Sequence, residues 1–299
     1  MNSSENFRCG TVALVGRPNA GKSTLLNRLV GERVAIVTHK PQTTRHRVTG
    51  IVNRPGGQLV LVDTPGLHRR RDHALNRHLN RVAAESLRSV DLAVLVIDAS
   101  RTGEEDELAL RAIIQAGVPS VLVFNKIDKL RDRASLLPLT ERWASRLEPL
   151  AVCYLSALNG DGVEAMADQV LEHLPLQPAM FDPDSFTTES SRFLAGELIR
   201  EQLMEQLHQE IPYGTTVLIE DFEDGAERYR ITARILVAEK RHKGIVIGRG
   251  AETLKRIGTR SRKGMEALFG VRVHLDLSVG AEPGWIDRER DFERLGYRR

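Results

Sequence analysis

Residues Gly16 to Ser23 read GRPNAGKS, set between an apolar run, Thr11 to Val15, and a segment, Thr24 to Leu29, with helical spacing. A strand, a glycine-bracketed loop and a helix in that order restrict a chain to few α/β folds. In a G-x-x-x-x-G-K-[ST] loop the glycines, Gly16 and Gly21, let backbone N–H groups curl around phosphate oxygens. Lys22 supplies a mobile positive charge, and the hydroxyl of Ser23 is placed to hold Mg2+. Asn19, Ala20 and Thr24 complete the stretch expected to line a bound nucleotide.

Three later strings extend this expectation. The strand Gln58 to Val62 ends in DTPG, Asp63 to Gly66. A carboxylate at a strand's carboxyl end can reach the Mg2+ shell, and Gly66 can turn its N–H to a γ-phosphate. NKID, Asn125 to Asp128, follows the apolar run Val118 to Phe124, as expected of a parallel strand buried on both faces. Asp128 can accept from both N1–H and the exocyclic amine of guanine. Adenine offers neither donor on that edge, so GTP is favoured over ATP; Asn125 and Lys126 join the same site. Ser156, Ala157 and Leu158 follow a short strand, Ala151 to Leu155, where backbone N–H groups could contact guanine O6.

At 299 residues the chain can form two domains. Nothing in Met1 to Gly10 has the form of a signal peptide, and apolar runs such as Leu92 to Ile97 are too short to span a bilayer, so a cytoplasmic protein is expected. Cys9 and Cys153 stand far apart, and His39, His46, His68, His73 and His78 lack paired spacing, which argues against a disulfide framework or a zinc site.

From Gly10 to about Leu174, strands alternate with helical stretches, the pattern of a doubly wound, mainly parallel sheet. Val48 to Arg54, a turn at Pro55-Gly56-Gly57 and Gln58 to Val62 read as a hairpin that adds one antiparallel strand. Prolines 175, 178 and 183 and a run of Ser and Thr then mark a linker. Beyond it, Arg192 to Gln209 reads as an amphipathic helix capped by Ser190 or Ser191. Two strands, two helices around Gly248-Arg249-Gly250-Ala251 and a last strand, Arg272 to Val279, follow. Between Glu239 and Lys263 nine basic residues (Lys240, Arg241, Lys243, Arg249, Lys255, Arg256, Arg260, Arg262, Lys263) face only Glu239 and Glu252 in sequence. A basic surround with a glycine turn at a helix start suits a phosphate backbone.

That turn resembles the G-x-x-G loop of KH domains, which clamps single-stranded nucleotides, with Ala251 in place of the last glycine. Together with PQTTRHR (Pro41 to Arg47), DTPGLH (Asp63 to His68), SALNGDGV (Ser156 to Val163) and HKGIVIG (His242 to Gly248), it makes nearly the whole chain resemble the Era family of bacterial GTPases. The resemblance implies a P-loop NTPase doubly wound α/β sheet in residues 1–176, a linker at 177–191 and an α+β KH domain of type II in 192–299. It implies GTP hydrolysis with Mg2+ held by Ser23, Asp63 and either Thr43 or Thr44, and a catalytic set of Lys22, Thr44 and Gly66. Asn19 matches an asparagine that in some such enzymes recruits K+. Leu67 stands where Ras-like enzymes carry a water-orienting glutamine, so intrinsic hydrolysis should be slow.

The resemblance further implies that Lys243, Gly248, Arg249, Gly250, Ala251, Lys255 and Arg256 bind 16S rRNA near its 3′ end during 30S subunit assembly. A monomer, with peripheral membrane association, is expected. Residues 66–72 would form the second switch, in which Arg69, Arg70 and Arg71 read as a solvated surface. Two other readings remain open: an RNA-binding module whose nucleotide supports its fold, and a membrane-associated signalling GTPase.

Overall fold

The computed structural model describes residues 6–40, 42–67 and 73–297. The part of the second-switch stretch from 68 to 72, with its three arginines, lies outside the described residues. The described residues fall into two compact units. The first lies within 1–35, 44–70 and 79–188, the second within 36–43, 71–78 and 189–299. No described helix is long and apolar enough to cross a membrane.

The first unit contains β1 (Arg8–Val15), α1 (Lys22–Val30), β2 (Val48–Arg54), β3 (Gly57–Asp63), most of α2 (Ala74–Leu87), β4 (Leu92–Asp98), α3 (Glu104–Ala116), β5 (Ser120–Asn125), α4 (Leu136–Leu147), β6 (Ala151–Leu155) and α5 (Val163–Glu172). Its six strands run β2-β3-β1-β4-β5-β6, all parallel except the β2–β3 hairpin. β3, β4 and β5 are buried along their whole length, which explains their unbroken apolar sequence. A core containing Val15, Leu95, Phe124 and Trp143 fills one side of this sheet. All five parallel strands end on the same edge, where doubly wound sheets bind ligands.

The proline- and serine-rich segment after α5 is hydrogen-bonded along the first unit through backbone and polar groups. Gln177 N–H donates to Phe7 carbonyl (3.1 Å), Met180 and Phe181 N–H to Gln58 Oε1 (2.9 and 3.0 Å), and Ile51 N–H to Phe186 carbonyl (2.9 Å). Thr187 bridges Gly50 on the outer edge of β2.

The second unit contains α6 (Ser191–Gln206), β7 (Thr215–Asp224), β8 (Arg228–Val237), α7 (His242–Ile247), α8 (Glu252–Phe269), β9 (Arg272–Ala281) and the short α9 (Glu289–Phe292). β8 pairs antiparallel with β7 and parallel with β9. Ile199, Leu203, Ile231, Ile235, Val246, Ile257 and Met265 share its core. Ser190 caps α6 by accepting from Phe193 N–H at 3.2 Å.

The expected amphipathic pattern of α6 understates its burial, for Glu197, Arg200, Glu201 and Gln202 are buried too. Glu197 and Arg200 form a two-pronged ion pair (2.7 and 2.6 Å), Val37 N–H donates to Glu201 (3.1 Å), and Lys40 donates to the carbonyls of Met204 and Leu207. These partners let charged side chains sit under cover.

Candidate nucleotide and nucleic-acid sites

The carboxyl end of β1 runs into the GRPNAGKS loop and then α1, whose cap Gly21 has φ 103° and offers no side-chain cap. The first-turn N–H groups are thus left for an anion. Gly16 is required sterically, because a Cβ there would lie 2.4 Å from Val96 carbonyl oxygen. Lys22 is buried, and its ammonium donates to the carbonyls of Gly16 and Arg17, both at 3.0 Å. Burial pushes its pKa down, against the pull of Asp63. Such an ammonium gains by meeting phosphate charge.

Three oxygens converge beside it. Ser23 Oγ donates to Asp63 Oδ2 at 2.6 Å, and Thr44 Oγ1 lies 2.9 Å from Ser23 Oγ and 3.2 Å from Asp63 Oδ2. Asp63 Oδ1 is buried without a hydrogen-bond partner among the described residues. Burial pushes the Asp63 carboxyl up, opposed by Lys22. Two hydroxyls and an under-satisfied carboxylate suit a hard divalent cation. The adjacent Thr43 turns its hydroxyl instead to Lys40 carbonyl and Thr38 Oγ1, both at 2.6 Å. Gly66 packs on the phosphate loop so closely that a Cβ would lie 2.6 Å from Pro18 N. Leu67 is buried in the core with Val15 and Phe124.

Asn125 ties the remaining loops together. Its Nδ2 donates to Ala20 carbonyl (2.9 Å), and its Oδ1 accepts from Lys126 N–H (2.7 Å) and Ala157 N–H (3.0 Å). Ala157 and Ser156 are fully covered, whereas Leu158 is exposed and its carbonyl accepts from Arg28. Asp128 is exposed in a short turn, Ile127–Lys129. Phosphate, cation and base strings of the sequence thus come together at one sheet edge, with Asn19 and Lys126 both in the left-handed region (φ 61° and 65°). Thr24 lies in the first turn of α1.

The motifs left out Arg17, Asp98 and Asp106. Asp98 ends β4 and accepts from both Lys126 and Arg17. Asp106 Oδ2 faces Arg17 Nε at 3.3 Å and accepts from Gly103 N–H at 2.9 Å. The available signal was the position of Asp98, a carboxylate closing an otherwise apolar strand on the ligand side of the sheet.

In the second unit, α7 stops at Gly248 (φ 75°, ψ 171°), and Gly250 (φ 58°) and Ala251 (φ 62°) are left-handed before α8 begins. A Cβ on Gly248 would lie 2.4 Å from Thr253 Oγ1. Lys243, Arg249 and Lys255 are exposed around this turn, while Arg256 donates to Gln206 Oε1 at 2.5 Å. Ile245 adds an apolar face, half exposed at 51%. Uncapped helix N–H groups, loose cations and an exposed aliphatic surface together suit a nucleic-acid strand.

A profile of the family described as 50S ribosome-binding GTPase matches residues 11–126, and one of the KH domain matches 210–285. GTPase Era of Stenotrophomonas maltophilia strain K279a is 50% identical over 297 residues, covering 99% of this chain and all of the relative. GTPase Era of Xanthomonas oryzae pv. oryzae strain MAFF 311018 is 51% identical over 295 residues, 99% of each chain. Among solved structures, an Aquifex aeolicus Era variant bound to GDP.AlF4− superposes with a TM-score of 0.92 at 33% identity, over 97% of this chain and 99% of the other. Era in complex with MgGDPNP and nucleotides 1506–1542 of 16S ribosomal RNA gives the same TM-score, identity and coverage.

Proposed function

The chain belongs to the GTPase Era family, and from that premise we propose that GTP binding and hydrolysis in its first unit govern the hold of its KH unit on the 3′ region of 16S rRNA, in the service of 30S subunit assembly. The observation that carries the GTPase reading is the convergence of the GKS loop, Asp63, Thr44 and the Asn125–Ala157 tie on one sheet edge. The RNA reading is supported by the exposed basic turn and by the relative crystallised with that RNA segment.

Ser23, Thr44 and Asp63 would hold Mg2+, which supplies charge neutralisation at the β- and γ-phosphate oxygens. Lys22 adds a second positive charge to the same phosphates, the backbone N–H of Gly66 meets the γ-phosphate, and Asp128 selects guanine. Leu67 is an apolar side chain turned into the core and cannot orient the attacking water, so the chain's own catalysis is slow. Asn19, next to the phosphates, is the residue we assign to K+; hydrolysis equally fast in KCl and NaCl would remove that assignment.

The central test is binding of a labelled 16S 3′-end oligonucleotide, beside an unrelated RNA, with GDP and with a non-hydrolysable GTP analogue. Tighter, selective binding in the GTP-like state is expected. Equal binding in both states would reduce the nucleotide to a structural ligand.

A further inference from the structure

Asp98 is 5% exposed, and its two carboxylate oxygens accept four hydrogen bonds. Oδ1 accepts from the N–H and hydroxyl of Ser100 (3.1 and 2.6 Å). Oδ2 accepts from Lys126 Nζ at 2.7 Å and Arg17 Nη2 at 3.2 Å. Burial alone would raise its pKa, but the bonds from Lys126 and Ser100 hold it below the usual carboxylate range. Lys126 Nζ also donates to Asn19 carbonyl at 2.5 Å, and Arg17 to Arg101 carbonyl at 3.0 Å. A single carboxylate is therefore bonded to one residue of the loop that cradles phosphates and to one residue of the string that reads the base.

We propose that Asp98 is a positioning residue for nucleotide binding, fixing the phosphate loop through Arg17 and the guanine site through Lys126 in one register. Lys126 is a flexible side chain on a left-handed backbone, a conformation that persists only where its surroundings fix it. Clamped at its head by Asp98 and Asn19, it presents its stem and the following Ile127–Asp128 turn at a set distance from the phosphate loop. A nucleotide spans that distance with its base and its phosphates. A pocket ordered beforehand binds without first having to order both ends. The γ-phosphate takes no part in this argument, so release of GDP and of GTP must be affected alike. The proposal rests on the guanine-nucleotide reading of the pocket.

The test is stopped-flow release of mant-GDP and mant-GMPPNP from wild type and from the isosteric Asp98→Asn. Loss of a charged hydrogen-bond acceptor shared by two cations should speed release by about tenfold or more for both nucleotides. The nucleotide-free melting temperature should stay within a few degrees of wild type. Arg17→Ala should reproduce the faster release and Arg17→Lys restore much of it; this pair carries the test should Asp98→Asn fail to fold. Release within twofold of wild type, unequal effects on the two nucleotides, or faster release matched by a large fall in melting temperature would overturn the proposal. Failure of the wild-type protein to bind mant-GDP would instead overturn the nucleotide reading beneath it.

Discussion

Ala251 takes φ 62° and ψ 22°, a left-handed conformation that costs an L side chain about 1–2 kcal/mol and glycine almost nothing. Glycine returns about 0.5–1 kcal/mol of that through greater freedom of the unfolded chain. Ala251→Gly should therefore stabilise the second unit by about 0.5–1 kcal/mol in urea unfolding, without weakening RNA binding. A destabilised variant would contradict the backbone argument. From the sequence, Ala251 stood out as the residue in place of the turn's last glycine. The conformation shifts the penalty to the backbone of the protein itself, because a residue's φ cannot be read from its identity when the motif's own glycine is missing. Thr43 and Thr44 pose the same problem. Identical side chains in adjacent positions carry no sequence signal, and only the fold sends one hydroxyl to Ser23 and Asp63 and the other to Lys40 and Thr38.

At the amino end of α3, Asp106 accepts from Gly103 N–H yet is fully buried, and burial raises its pKa to about 6 despite the nearby Arg17. An unfolded carboxyl ionises near pH 4, so between about pH 4 and 6 the folded chain holds the extra proton and stability falls as pH rises. Asp106→Asn removes that slope. The stability of wild type relative to Asp106→Asn should drop by of order 2 kcal/mol from pH 4 to pH 6.5 in denaturant titrations, and a flat difference would show that Asp106 ionises normally. The alternation of strands and helices that contains α3 was itself legible, because apolar runs and helical spacing follow local rules. So were the β2–β3 hairpin, β6, and the order helix, strand, strand, helix, helix, strand of the second unit. What stayed hidden depends on non-local partners: the buried polar face of α6, and the Arg17–Asp98–Lys126 clamp, whose members lie 81 and 28 residues apart.

For the molecule as a whole, the unforeseen region is the carboxyl-terminal tail. Trp285, Phe292, Leu295 and Tyr297 are buried in the second unit, Trp285 donates to Gly214 carbonyl (3.1 Å) and stacks on Tyr297, and Asp287 accepts from Ala74 N–H (3.2 Å). Their spacing has no clear period, so no helix or strand rule marks them. Each unit holds one fully buried tryptophan, Trp143 or Trp285, which gives each an intrinsic probe. Ending the chain after Arg288 removes three buried side chains and should destabilise the second unit by about 5 kcal/mol or more. Urea unfolding followed through Trp285 in a Trp143→Phe background measures this, and an unchanged midpoint would mean the tail is only draped on the surface. The stretch at 177–188 has a different importance. An edge strand such as β2 exposes a row of backbone donors and acceptors, open to any extended chain that meets it. Here Phe186 and Thr187 occupy part of that row, and Pro183, which has no N–H to donate, accepts from Asn53 through its carbonyl. A sequence that looks like a spacer thus covers part of that row, so shortening it should open the edge of β2 to pairing with other extended chains.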